Sequence, residues 1–158
     1  MNYDTIEVHL SSEVACVSMN RPEVMNALNT QMRAEITDAY KRLAPQARVI
    51  VLTGRGKAFC SGQDLGDRAN AAQLDLERTL RDEYEPMLRA IIECRIPTIT
   101  ALNGAAAGAG ANLALASDVV IASKSSYFMQ AFTKIGLIPD AGGTYLMPRT
   151  MGLAKAMG

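Results

Sequence analysis

A nucleophile, a metal centre or a phosphate loop would each leave a recognisable set of residues, and this sequence carries none of the three. Its one histidine, His9, falls in a run that reads as a strand, so neither Cys60 nor Ser61 has the basic partner that hydrolysis through Ser or Cys requires. His9 reads as an ordinary strand residue and Cys60 as a packed loop thiol. A lone histidine with the scattered Cys16, Cys60 and Cys94 offers no ligand set for zinc, and no metal is expected. Gly54-Arg55-Gly56-Lys57 follows a strand but has Ala58 where a phosphate loop has Ser or Thr. Gly108-Ala109-Gly110 has Leu113 at the third glycine position of a dinucleotide fingerprint. What remains are three glycine-bearing segments, residues 57–65, 103–113 and 136–144.

These segments suit chemistry done by main-chain amides and one acid. Ala109 lies between glycines in a turn that opens a helix, where free N–H groups favour an anion. Gly108 and Gly110 equally suit plain close packing of that helix on a sheet. Asp140, after Pro139, can exchange a proton with a substrate held beside such amides, or can cap the short helix that starts near Gly142. An apolar wall of Phe132, Ile135 and Leu137 would disfavour its charged form. Asp64 reads as a tie within its loop, and Asn112 either meets a substrate or satisfies a helix end.

The elements that must position these residues can be read from periodicity. Thr5 to Leu10 and Val14 to Met19 read as strands joined by a turn at Ser11-Ser12-Glu13. Asn29 is placed to cap a helix whose apolar positions Met32, Ile36, Ala39, Tyr40 and Leu43 share one face, ending before Pro45. Arg48 to Thr53, with Val49-Ile50-Val51-Leu52, predicts a strand buried on both faces. Gly54 to Gly66 reads as a loop, and the chain from there to Glu93 as mostly helical with a break near Pro86. Pro97 to Leu102 and Asp118 to Ala122 read as strands around a small-residue segment that is helical from about Gly108. Strands alternating with helices predict an α/β fold with crossover connections.

Composition narrows the partners. Sixteen basic residues balance sixteen acidic ones among 158, so no overall field draws nucleic acid or a membrane surface, and any anionic ligand is held locally. Residues 1–10 lack the basic start and apolar run of a signal peptide, which fits a reducing cytoplasm. The weakly charged stretch from Ile96 to Ala122 contains Pro97, Asn103, Gly104, Gly108, Gly110 and Asp118 and reads as buried core, not a membrane span. Residues 151–158 read as a helix cut short, so one core domain over 1–158 is expected as the front part of a longer protein.

With Asn20-Arg21-Pro22, Asn26-Ala27-Leu28-Asn29 and Pro148-Arg149 added to the three segments, the chain resembles the enoyl-CoA hydratase/isomerase (crotonase) superfamily along nearly its whole length. Phe59-Cys60-Ser61-Gly62-Gln63-Asp64-Leu65 with Ile138-Pro139-Asp140 most resembles the branch that isomerises ring-epoxidised phenylacetyl-CoA to an oxepin in phenylacetate catabolism. The resemblance implies a spiral of ββα units, homotrimers or dimers of trimers, and a C-terminal helical segment that this sequence lacks. It implies that the N–H groups of Gln63 and Ala109 stabilise a thioester enolate, with the Gln63 side chain of little consequence, and that Asp140 moves the proton. The family's two hydratase glutamates fall at Asn112 and Phe132, which disfavours water addition. Substrate contacts are implied at Glu23, Val24, Met25, Ala58, Ser61, Gly62, Asp64, Leu65, Gly108, Asn112, Phe132 and Pro139, with Arg21 and Lys57 the nearest cations for phosphate. No cofactor is implied beyond the coenzyme A of the substrate. Alternatives are an enoyl-CoA hydratase or Δ3,Δ2-enoyl-CoA isomerase of fatty acid oxidation, and a non-catalytic assembly subunit that binds a CoA thioester.

Overall fold

The computed structural model describes residues 2–66 and 75–157. Strands β1 (Ile6–Ser11) and β2 (Val14–Met19) form an antiparallel hairpin. Its two-residue turn puts Ser12 at φ 49° and Glu13 at φ 64°, the left-handed pair whose twist matches the strands it joins. Helix α1 (Thr30–Leu43) begins where the Asn29 side chain accepts the N–H of Met32 at 2.8 Å, and its apolar stripe is fully buried. β3 (Val49–Gly54) then lies parallel to β2.

From β3 onward each pair of strands contributes one member to each of two sheets. β3, β5 (Thr98–Leu102) and β7 (Val119–Ala122) extend the hairpin into a five-stranded sheet of order β1-β2-β3-β5-β7. β4 (Ala58–Cys60), β6 (Ala105–Ala107) and β8 (Phe128–Met129) form a parallel three-stranded sheet. Helical segments link successive turns: α2 (Leu76–Thr79), a π-turn (Leu80–Tyr84) and α3 (Glu85–Ile92) before β5, and α4 (Ala109–Leu115) before β7. α5 (Gly143–Met151) and α6 (Leu153–Met157) follow β8. Repetition of two strands and a helix is the spiral of ββα units that the resemblance implies.

Three expectations are revised. β3 is not buried on both faces: Ile50 and Leu52 face the helices and are sealed, whereas Val49, Val51 and Thr53 on the other face are half-covered. The glycine loop contains β4 and the small-residue segment contains β6, each only three residues long and too short for periodicity to reveal. Pro86 does not break its helix. The π-turn just before it carries a wider hydrogen-bond ring, Glu85 N–H to Leu80 O, and Pro86 sits at the first turn of α3, where its missing N–H leaves no gap. The part of the expected helix that falls on 67–74 lies outside the described residues. The core joins α1 (Met32, Ile36, Leu43), the large sheet (Val17, Ile50, Leu52) and α3 (Met87, Ile91), each burial contributing about 1.5–3 kcal/mol. Among the described residues no helix is long and apolar enough to cross a membrane.

Candidate functional site

The loop after β2 is folded onto β4 by a side chain that mimics backbone. Asn26, fully buried at φ 55°, accepts the Arg21 N–H at 2.9 Å and donates to the carbonyls of Arg55 at 2.9 Å and Ala58 at 3.0 Å. The segment after β4 then pairs with Leu28: its N–H donates to Gly62 O at 2.8 Å and its carbonyl accepts the Asp64 N–H at 3.1 Å. Gly62 O and Gln63 N–H belong to one planar trans peptide. Since Leu28 holds the carbonyl, the Gln63 N–H points the opposite way. Gly62 has φ +97°, and a Cβ there would lie 2.8 Å from Ala107 O and 3.5 Å from Ala109 N, so the peptide carrying the Gln63 N–H is packed on the turn between β6 and α4.

That turn is built the same way. Gly108 (φ 51°, ψ −125°) donates its N–H to Met129 O at 2.9 Å, and its carbonyl accepts from Ala111 at 3.0 Å and Asn112 at 3.3 Å. With the Gly108 carbonyl directed into α4, the Ala109 N–H of the same peptide points out of the helix start. Neither the Gln63 nor the Ala109 N–H meets an acceptor among the described residues. Gly110 lets α4 approach β4: a Cβ would stand 2.5 Å from Cys60 O and 2.7 Å from Cys60 Sγ. Cys60 is fully buried, and burial pushes its thiol up to about 12, which keeps it protonated and inert.

Asp140 is held one helical turn away. Asn112, three residues past Ala109 and fully buried, donates from Nδ2 to Asp140 O at 2.8 Å and accepts from Gln130 Nε2 at 2.6 Å on Oδ1. Both amide atoms of Asn112 are thus engaged by protein and tie α4 to the Asp140 loop. Asp140 does not cap α5: the cap position is Gly142 at φ +79°, without a side-chain bond, and the Asp140 carbonyl accepts the Gly143 N–H at 2.8 Å. The Asp140 residue lines a cleft of about 800 Å³ with Tyr84, Leu88, Pro139 and Tyr145. Two other acids lining it, Glu85 and Glu93, are paired with Arg89, each at 2.8 Å. Of the expected apolar wall, Phe132 is buried beside Gly108, but Ile135 and Leu137 are exposed.

The π-turn and α1 together supply contacts beyond those expected. Tyr84 Oη donates to Gln63 Oε1 at 2.6 Å, and Arg33 Nη1 donates to the same oxygen at 3.0 Å and to Leu28 O at 2.6 Å. Arg33 is almost wholly buried, its charge met by Glu83 at 2.6 Å. The Tyr84 hydroxyl titrates well above its ordinary range, chiefly through burial and further through the Asp140 charge, against a lowering effect of Arg33. The one available signal was Arg33, a charge beside the apolar stripe of α1. Tyr84, in a run of charged residues, gave none.

The expected coenzyme contacts form a rim beside these amides. Glu23, Val24, Met25 and Leu65 are exposed, and Ser61 is stitched to them through its N–H to Met25 O at 2.9 Å and its Oγ to Val24 O at 3.2 Å. Ala58 is buried in β4 with its carbonyl held by Asn26. Arg21 is turned inward: its Nη1 donates to Asp64 Oδ2 at 2.6 Å and Ala27 O at 2.7 Å, while Asp64 Oδ1 accepts the Gly66 N–H at 2.8 Å. Asp64 is therefore the loop tie expected of it, and Arg21 is a strut of the rim. Lys57 is exposed.

Comparison with known proteins finds relatives along the whole chain. The enoyl-CoA hydratase/isomerase family model matches residues 9–158. A protein of Rhodobacter capsulatus named "Probable enoyl-CoA hydratase" is 62% identical over all of this chain and 61% of its own length. The 1,2-epoxyphenylacetyl-CoA isomerase of Escherichia coli is 44% identical over 95% of this chain and 59% of its own. A crystal structure of an enoyl-CoA hydratase from Mycobacterium avium subsp. paratuberculosis superposes with a TM-score of 0.85 at 35% identity, covering 99% of this chain and 59% of that one. The chain thus spans about three fifths of the length of these relatives.

Proposed function

The chain belongs to the enoyl-CoA hydratase/isomerase family, and from that premise we propose that the whole protein isomerises an acyl-CoA thioester through its enolate. The N–H groups of Gln63 and Ala109 receive the thioester oxygen, and Asp140 moves the proton. In the forward step the bond between hydrogen and the carbon beside the carbonyl breaks. The proton passes to the Asp140 carboxylate while the electron pair moves onto the thioester oxygen, where two fixed donors stabilise it. The proton then returns to a carbon further along the conjugated system and the electron pair moves back. The observation that carries this reading is the engagement of Asn112 by Gln130 and by the Asp140 carbonyl. It turns one hydratase glutamate position into a support for the loop that bears a different acid.

A ring-epoxidised phenylacetyl thioester is the substrate within this reading, supported by the likeness to the Escherichia coli isomerase; there the bond between the two epoxide carbons breaks as the ring diene becomes the three double bonds of an oxepin, and Asp140 then carries the proton from the carbon beside the carbonyl to a ring carbon. Assembly as a homotrimer or a dimer of trimers belongs to the same reading. A second reading, water addition to an enoyl-CoA, is favoured by the name of the 62% identical relative. Assaying the full-length protein on 2-enoyl-, 3-enoyl- and epoxyphenylacetyl-CoA separates the two. Asp140→Asn is expected to abolish isomerisation with the fold intact. Full isomerase turnover in folded Asp140→Asn overturns the proposal, and rapid hydration of crotonyl-CoA favours the second reading.

A further inference from the structure

Beyond the two amides and their acid, we infer that Tyr84 and Arg33 are positioning residues that set the direction of the Gln63 N–H by clasping the Gln63 side chain. The inference rests on the reading of that N–H as an enolate donor. The side-chain oxygen lies between two donors, Tyr84 Oη at 2.6 Å and Arg33 Nη1 at 3.0 Å, which occupy both of its acceptor directions. The side-chain nitrogen donates to Asp64 O at 3.2 Å, so both polar ends of the side chain are fixed. Arg33 Nη1 also holds Leu28 O, the carbonyl on the other side of the bridge, and one guanidinium thereby grips both partners of the pairing that aims the Gln63 N–H.

The clasp is itself anchored. Arg33 is 1% exposed, bonded through Nε and Nη2 to Glu83, and stacked 4.8 Å over the Tyr84 ring. Glu83 and Tyr84 are consecutive in the π-turn, whose extra residue per turn brings both onto Arg33. A free glutamine side chain retains several rotamers, and removing that freedom before substrate arrives is what preorganisation of a donor requires. The sequence alone assigns the Gln63 side chain no task; the clasp assigns it one, with a different expectation for its removal.

The test is a double-mutant cycle in the full-length protein with Tyr84→Phe, Gln63→Ala and the pair, each first checked for folding by circular dichroism. Tyr84→Phe keeps the ring over Arg33 and deletes only the hydroxyl. It is expected to lower kcat roughly tenfold with KM within about twofold, less than the 10²- to 10³-fold of deleting a donor outright. Gln63→Ala is expected to lose at least as much although its N–H remains, and the pair no more than Gln63→Ala alone. Binding gives the same comparison without turnover. Tyr84→Phe is expected to weaken acetoacetyl-CoA, which can bind as an enolate, about tenfold while leaving butyryl-CoA unchanged. Unchanged kcat and binding in Tyr84→Phe, or losses that multiply in the pair, overturn the clasp. A normal binding split together with an indifferent Asp140→Asn upholds the clasp and removes the isomerase reading instead. Wild-type protein that does not distinguish the two thioesters removes both.

Discussion

Gly110→Ala adds one methyl group at the contact between α4 and β4. The new Cβ would lie 2.5 Å from Cys60 O, 2.7 Å from Cys60 Sγ and 2.8 Å from Cys60 Cβ, against an ordinary contact of at least 3.4 Å. Relief at the carbonyl therefore needs a displacement of about 0.9 Å, the difference between 3.4 and 2.5 Å. The carbonyl is backbone in a strand paired with β6 and cannot rotate away, so the displacement falls on α4 and on the Ala109 N–H at its start. Overpacking of this kind costs about 1–3 kcal/mol of stability. A donor moved by about 1 Å is expected to cost on the order of 10²-fold in kcat, because the stabilisation depends on aim. The assay is kcat and KM on the best thioester beside a thermal melt of the same sample. Gly136→Ala is the control: Gly136 sits at φ +71° with nothing within 4 Å, so alanine brings backbone strain of about 1–2 kcal/mol without a clash at the site. Gly110→Ala protein that melts like wild type and retains kcat within about twofold would refute the account of how α4 is seated.

Other expectations concern charge and burial. Burial alone would raise the Glu35 carboxyl, but hydrogen bonds from Asp4 N–H, Gln31 and both Thr5 donors outweigh it and hold it below the usual range. A depressed native value means that this stabilisation is present above the unfolded value, about 4.3, and is lost as pH falls through the native one. Wild-type protein is thus expected to lose urea resistance below about pH 4, with a shallower acid limb in Glu35→Gln; equal slopes would contradict it. The Cys60 thiol, raised to about 12, is expected to resist iodoacetamide at pH 8 until the protein unfolds, whereas the half-exposed Cys16 and Cys94 react first; mass mapping of the alkylated sites reads the order.

Much of the scaffold was legible because it is written in short-range pattern. Asn29 as a cap, the stripe from Met32 to Leu43, and the branched run in β3 act within a few residues of themselves, and each appears where expected. Asp64 as a loop tie is also local, since its Oδ1 bonds the N–H two residues on. β4 and β6 were not legible, since strands of three residues exist only through pairing with distant segments, β4 with β6 and β6 with β8.

The candidate site divides along the same line. Local pattern pointed to the Ala109 amide in its glycine-flanked turn and left Asp140 open between proton transfer and helix cap, whereas the Gln63 amide came only from the family resemblance. Only the folded chain decided that Asn112 supports the Asp140 loop, that Arg21 turns inward to Asp64, and that Arg33 and Tyr84 hold Gln63 from 30 and 21 positions away. The physical reason is that a hydrogen bond or a close contact requires two groups at one point in space. A single sequence records each group but not their meeting, which the winding of the spiral alone brings about.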